Sequence, residues 1–429
     1  MKKIKSILII LLVLVIALVI WQTVTGKMID DSIQKERGKI AEISNDTIPK
    51  ERGKLVSQEF ITTISSNQIE KLFPEANELE GDVSKVVKFD IDIYKVTYTS
   101  TFQHKIVELS GLLVVPKTDK PLWHLQYHHG TLLPYPSTNG EGSLDAPSLF
   151  DGEGVITNKS QYETRLFGLH LGSYGYLVSL PDYIGYGKSD NYEHTYSVND
   201  RLAEQSVDMI LATKEFCSKN KIELNSKTFL AGWSEGGAAS VATQKLIEKS
   251  YSDRIQIAAN APLAGFYNPT YYAQKMISYS FLLWSDLGED LDVLIWTLYS
   301  INLYADDNPL PNNKLFKFDV HNQTDVLKNR PTSRLSRAIK YLSTENKIEL
   351  LKKFDKSNLT YGWKPIAPIY FHHGTDDDIV YYDNNVEIAV NNLSDNGANT
   401  HLVKYEKHNH YTLAHLYLLN MLTDFEKHK

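Results

Sequence analysis

Three groups of residues in this chain have the types and spacing of a nucleophilic catalyst. The first is Gly232-Trp233-Ser234-Glu235-Gly236, which follows the apolar run Phe229 to Ala231 and precedes the helical stretch Ala238 to Lys249. A strand that turns this sharply into a helix strains the serine and lifts its hydroxyl clear of the sheet. Glycine is needed on either side, at Gly232 and Gly236, because a Cβ there would strike the neighbouring strand or helix. The helix that follows brings a positive dipole end and free N–H groups to the place where negative charge would develop. The second group is Asp376-Asp377-Asp378, just beyond the apolar run Ala367 to His372, and the third is His408-Asn409-His410. A serine hydroxyl attacks poorly until a base takes its proton, and the base needs an orienting acid. Serine, then acid, then histidine is the order expected after such an elbow. Spacing leaves open which aspartate and which of the two histidines would serve.

These groups need a scaffold that brings them to one edge. Phe89, Ile91 and Ile93 alternate with Asp90, Asp92 and Tyr94, and Ile106 to Val115 follows after turn-like residues, which predicts an antiparallel hairpin. Apolar strand patterns recur at Leu122 to Tyr127, Tyr176 to Leu180, Ile255 to Ala261, Ala367 to His372 and His401 to Tyr405. Between them lie helical patterns at Val198 to Ser218, after the elbow, and at Tyr411 to Glu426. Strands alternating with helices after an antiparallel start predict an α/β fold with a largely parallel sheet, in which all three groups share one sheet edge. One interval breaks the rhythm. From Tyr267 to Gly362 no strand pattern is clear, and aromatic and leucine residues recur at helical spacing, among them Tyr279, Phe281, Leu282, Leu283, Trp284, Leu291, Leu294, Trp296 and Leu298. A helical insertion there would roof Ser234. The expected domains are therefore a catalytic unit over 81–265 and 363–429 and a helical cap over 266–362.

The remaining residues bound the setting. The 429-residue chain is 42% hydrophobic, enough for a large core plus an insertion, and its net charge of −7 argues against a nucleic-acid partner. Cys217 is the only cysteine, so no intrachain disulfide can form. The start is basic, Met1 to Lys5, and leads into an apolar run from Ile7 to Trp21. That is the form of a secretory signal peptide or signal anchor over 1–26, with residues 4–21 as the candidate membrane attachment. Either form places the body outside the cytoplasm. Polar residues 27–80 read as a spacer or loosely docked arm.

From about Arg52 onward the chain resembles the α/β-hydrolase superfamily, in particular its secreted lipase-like and prolyl-oligopeptidase-like esterases. The resemblance rests on Ser110-Gly111-Leu112-Leu113-Val114-Val115-Pro116, His129-Gly130-Thr131, Pro181-Asp182-Tyr183-x-Gly185-x-Gly187, Gly232-Trp233-Ser234-Glu235-Gly236-Gly237 and His373-Gly374-Thr375-x-Asp377-x-x-Val380. It implies an α/β-hydrolase fold and a carboxylic-ester hydrolase that needs no cofactor or metal, works through an acyl-enzyme and takes a small-molecule or lipid-like ester. Carried over position by position, it implies Ser234 as nucleophile, Asp377 as acid and His410 as base. It also implies the N–H groups of Glu235 and Thr131 as oxyanion donors, and a structural role for Asp182. Glu235 departs from the commoner neighbours of the nucleophile. Its carboxylate could repel anions, hold a substrate ammonium, or hydrogen-bond at the boundary of sheet and cap.

Three other readings compete. A peptidase on this fold is the first, although the N-terminal segment is too short for a β-propeller. A catalytically silent binding protein is the second. The third is a metal site among His128, His129, His372, His373, His408 and His410, which is disfavoured because adjacent strand residues point to opposite faces.

Overall fold

The computed structural model describes residues 51–73, 81–136, 142–152, 161–278, 291–328 and 338–429. The apolar segment 4–21, most of the expected spacer, and Tyr279, Phe281, Leu282, Leu283 and Trp284 lie outside the described residues. Among the described residues no helix is long and apolar enough to cross a membrane.

The sheet strands in chain order are β1 (Leu55–Ile64), β2 (Ile91–Phe102), β3 (Lys105–Pro116), β4 (Leu122–His128), β5 (Tyr176–Pro181), β6 (Leu224–Trp233), β7 (Gln256–Leu263), β8 (Ile369–Gly374) and β9 (Thr400–Tyr405). Their order across the sheet is β1-β2-β3-β5-β4-β6-β7-β8-β9. β1, β2, β3 and β5 pair antiparallel, and every pairing from β5 to β9 is parallel. The hairpin between β2 and β3 closes over Gln103 and His104, both at positive φ, which suits the right-handed twist of the two strands.

Residues 55–64 correct the expectation of a spacer. They form β1, an edge strand, with Leu55 and Ile64 buried at its ends and a largely exposed middle that mixes polar residues with Val56 and Phe60. A strand covered on so little of its surface shows no clean alternation, so its sequence reads as loose polar chain. Just before it, Arg52 is buried and its guanidinium donates to both oxygens of Asp208, at 2.9 and 3.1 Å, while Ser100 donates to the same carboxylate at 2.7 Å. The segment is therefore held to the body by a buried ion pair.

The long helices are α1 (Asn199–Asn220), α2 (Glu235–Ser250), α3 (Pro269–Ser278), α4 (Leu291–Tyr304), α5 (Thr344–Lys356), α6 (Glu387–Asp395) and α7 (Ala414–Glu426). Between β4 and β5 a π-helical turn, Thr164–Leu169, runs into the short helix His170–Tyr174. α3, α4 and α5, with shorter turns between them, make up the insertion, and a single isolated bridge, Phe316 to Ile339, is its only β pairing among the described residues. α5 starts at Ser343, whose hydroxyl accepts the Asn346 N–H, and carries Glu345 in its first turn with Lys353 and Lys356 in its last.

The cores are separate. One lies on the sheet face covered by α7 and the residues before β5, and is centred on Phe167, Phe229, Leu263 and Tyr417. Another belongs to the cap, with Trp296, Ile301, Phe316, Leu350 and Phe354 packed together and with Tyr196 and Val198 of the sheet domain joining it.

Candidate active site

Ser234 sits between β6 and α2 with φ +57° and ψ −119°. An L-residue in that region stores on the order of 1–3 kcal/mol of backbone strain, which the surrounding structure must hold. Here the Ser234 N–H donates to Leu263 O on the adjacent strand at 2.9 Å, and its carbonyl accepts the Ala238 N–H at 3.2 Å. A Cβ on Gly232 would run into the Gly236 backbone, and one on Gly236 would run into the carbonyl of His128. Both glycines are thus required by close approach, as the motif predicts.

Strand order explains why the other groups arrive here. β4 and β6 are neighbours with His128 opposite Gly232, so the turn at Gly130-Thr131 leaves the sheet beside the elbow. Further along, Trp233 pairs with Leu263, and Leu263 with His372. Gly374 then pairs with Tyr405, so the loops after β8 and β9 emerge at the same edge.

His410 Nδ1 lies 2.8 Å from Asp377 Oδ2, with both side chains buried. The other carboxylate oxygen accepts the N–H groups of Ile379 and Val380 at 3.0 and 2.9 Å. His373 Nε2 faces the Val380 carbonyl at 2.8 Å and Asp377 Oδ2 at 3.2 Å. Burial raises the Asp377 carboxyl, but the hydrogen bonds from His373 and His410 and their charges outweigh it and hold the group well below the usual carboxylate range. A permanent carboxylate on Nδ1 leaves Nε2 of His410 as the basic nitrogen.

The two choices left open by spacing are separated by this geometry. His408 bonds to Thr412 through its ring and does not reach Asp377. Asp376 and Asp378 are exposed, whereas Asp377 is buried. Asp182 is buried too, but it accepts the Ser110 hydroxyl and the Ser148 N–H, which is a structural arrangement. The rim histidines are each engaged by their own neighbours: His128 with Ala231 O and Thr243, His129 with Gly130 O and Asp182 O, and His372 with the Tyr405 hydroxyl and Asp424. Among the described residues no group of three or more metal-ligating side chains is placed to hold an ion.

Ser234, His410, Thr131 and Glu235 all line one cavity of about 990 Å³. Phe266, Tyr272, Val293 and Leu294 of the insertion form part of its wall. Among the described residues no acceptor takes the N–H of Thr131 or of Glu235. The loop carrying Thr131 is braced on several sides. Tyr186 donates its hydroxyl to the Leu132 carbonyl, Thr131 Oγ1 lies 3.0 Å from the Tyr196 hydroxyl, and Glu163 takes the Gly130 N–H at 3.0 and 3.1 Å.

The Glu235 side chain is buried and hydrogen-bonded at the boundary of the sheet domain. Its Oε1 accepts the Ser197 N–H at 3.0 Å and lies 3.0 Å from His194 Nε2, while His194 Nδ1 faces the Ile184 carbonyl at 2.9 Å. A carbonyl only accepts, so Nδ1 carries a hydrogen and the Nε2 edge of the ring is the one turned to the buried carboxylate. Sequence reasoning missed His194, Glu163 and the bracing role of His373. His373 was visible as the histidine of the His-Gly motif, whereas His194 and Glu163 carry no motif.

A family model of secretory lipases matches residues 152–273, the span that includes the elbow. No curated protein matches the sequence. Among solved structures, the chain is similar to a Legionella pneumophila protein provisionally assigned as a hydrolase, with a TM-score of 0.69 and 21% identity over 87% of this chain and 98% of that one. It is also similar to the rice cell wall degrading esterase LipA of Xanthomonas oryzae, with a TM-score of 0.68 and 19% identity over 88% and 100% of the two chains. Candida antarctica lipase A in its closed state gives a TM-score of 0.60 and 15% identity over 88% and 83%. With the strand order and the strained serine turn, these likenesses make the chain an α/β-hydrolase in fold, similar to the lipase-like esterases built on it.

Proposed function

We propose that this protein is an exported serine hydrolase that cleaves carboxylic esters through an acyl-enzyme. The observation that carries the reading is the buried 2.8 Å contact of His410 with Asp377 beside the strained Ser234, with Ser234 and His410 opening on one cavity. In the proposed cycle Ser234 Oγ attacks the ester carbonyl carbon as His410 Nε2 takes its proton. The carbonyl oxygen becomes an oxyanion held by the N–H groups of Glu235 and Thr131. His410 then gives its proton to the departing alkoxide, and the same steps with water release the acid and free Ser234. Each oxyanion donor contributes on the order of 3 kcal/mol to the transition state.

The insertion supplies the apolar side of the cavity, with Phe266, Tyr272, Val293 and Leu294, so the acyl group of a small-molecule or lipid-like ester is assigned to that side. Export is supported by the basic-then-apolar start of the chain and by the match to secretory lipases. The test is a panel of p-nitrophenyl esters of rising acyl length beside amino-acyl anilides, run with wild type and Ser234→Ala. Ester turnover lost in Ser234→Ala supports the proposal. Preference for anilides supports a peptidase instead, absence of any turnover a silent binding protein, and chelator-sensitive turnover surviving Ser234→Ala a metal enzyme.

A further inference from the structure

Asp145, Glu163, Glu235 and Asp378 are among the residues that line the cavity, and no lysine or arginine is among its described lining residues. These acids differ in how they are compensated. Glu235 is paired with the His194 ring and accepts the Ser197 N–H. Asp145 accepts the backbone N–H groups of Gly142 and Gln161 and stands within electrostatic reach of Arg165. Asp378 is exposed at the mouth. Glu163 is held only by neutral donors among the described residues, the Tyr127 hydroxyl at 2.7 Å and the Gly130 N–H. It is also close to the reacting centre. A Cβ placed on Gly130 would lie 2.9 Å from Glu163 Oε1 and 3.6 Å from Ser234 Cβ, so the carboxylate and the serine flank the same glycine.

We propose that the cavity selects against esters carrying a negative charge, and that the carboxylate of Glu163 sets this selection. The inference rests on the serine hydrolase reading and adds the charge class of the substrate to it: neutral or cationic esters are accepted, anionic ones refused. An uncompensated carboxylate at this range from the ester carbonyl repels a bound anion, and over a distance shorter than the Debye length of about 8 Å at physiological salt the repulsion is only partly screened.

Burial pushes the Glu163 carboxyl up to about 7 against the hydrogen bonds from Tyr127 and Gly130, which lower it, with Asp145 and Glu235 raising it further. The groups around it are Tyr127 on β4, Asp145 in the preceding turn, Tyr183 just after β5, Glu235 at the start of α2, Tyr417 on α7, and Tyr162 and Arg165 on its own segment. His410 and Asp378 line the same cavity. Below its midpoint Glu163 is neutral and the selection is off. Above it the group is charged and the selection is on.

The test is covalent labelling of Ser234 by two ethyl p-nitrophenyl alkylphosphonate diesters of equal alkyl length, neutral at phosphorus, one chain ending in methyl and one in carboxylate, followed by intact mass. In both, the Ser234 Oγ–P bond forms, the bond from phosphorus to p-nitrophenolate breaks, and the serine proton passes to His410. In wild type the ratio of neutral to anionic labelling rates is expected to rise on the order of ten-fold between pH 6 and 8. In Glu163→Gln the ratio stays flat, which separates Glu163 from His410. In Tyr127→Phe the rise persists with its midpoint moved to higher pH, because a hydrogen bond to the carboxylate is lost. A ratio flat with pH in wild type overturns the proposal, as does the same rise in Glu163→Gln. Labelling by neither reagent overturns the serine hydrolase reading itself.

Discussion

The floor and the roof of the cavity are built on opposite principles. On the floor, position is fixed by backbone. Gly232, Gly236 and Gly237 sit where a Cβ would strike neighbouring backbone, Ser234 is held at positive φ, and the polar side chains point at defined partners. In the roof, position is fixed largely by apolar packing around Trp296, with polar contacts both inside it, as between Lys353 and Asp306, and where it meets the sheet domain. There Tyr196 stacks on Trp296 at 4.1 Å, and Glu193 accepts the hydroxyls of Tyr299 and Tyr304 and the Gln323 N–H. Close-packed backbone tolerates no adjustment, which suits groups that must be aligned for proton transfer. Packed side chains tolerate exchange, which suits a wall that meets the variable part of a substrate. Substitutions in the floor are therefore expected to change kcat, and those in the roof KM and acyl-length preference.

The sharpest challenge to this division is Ser234→Ala, which is expected to lower ester turnover by at least ~10⁴-fold with KM little changed. Asp377→Asn should cost on the order of 10³–10⁴-fold in kcat, because the His410 tautomer is no longer fixed, with thermal stability less affected. Pre-steady-state kinetics and thermal unfolding separate the two effects. In the roof, Trp296→Ala removes a fully buried ring stacked on Tyr196 and should cost about 3–5 kcal/mol, read as a lowered unfolding midpoint together with raised KM for long acyl chains. A kcat loss as large as that of Asp377→Asn would erase the distinction between floor and roof.

Acid sharpens the contrast further. Burial pushes His124 of β4 down to about 3, and His128 of β4 and His170 down to about 4. A histidine depressed in the folded state is protonated only after unfolding, so stability is lost as pH falls from about 6.5 toward 4. Glu163 and Asp208, raised to about 7 and about 6, act in the opposite sense, with stability lost as pH rises through those values. The depressed histidines outnumber them and set the net sign. The insertion holds a single histidine, His321, which is exposed. Hydrogen exchange at pH 4.5 should therefore show β4 opening ahead of α4. The smallest expected effect is at the seam, where Glu193→Gln weakens the tyrosine contacts and is expected to shift KM by a few-fold while leaving kcat in place.

Much of the floor was legible because its rules are local. Apolar runs between turn residues gave the strands from β2 to the edge strand β9, and the elbow glycines and the His-Gly motif marked the edge they share. What was hidden depends on neighbours distant in sequence. β1 is stabilised by pairing along its length and by Arg52 reaching Asp208, so no alternation betrays it. Glu163 and His194 are polar residues without a motif, and their places follow from how the segments before β5 and α1 fold back over the sheet edge. That His410 faces Asp377 is a matter of how the loops after β8 and β9 lie side by side, which spacing does not carry.

The central claim is that His410 activates Ser234 in the floor of the cavity. Its most direct test is peptide mapping of the protein after brief exposure to a neutral fluorophosphonate, with His410→Ala alongside. A single adduct on Ser234, formed at least ~10³-fold more slowly in His410→Ala, is the predicted result. Modification at another residue, or equal labelling rates in the two proteins, would contradict it.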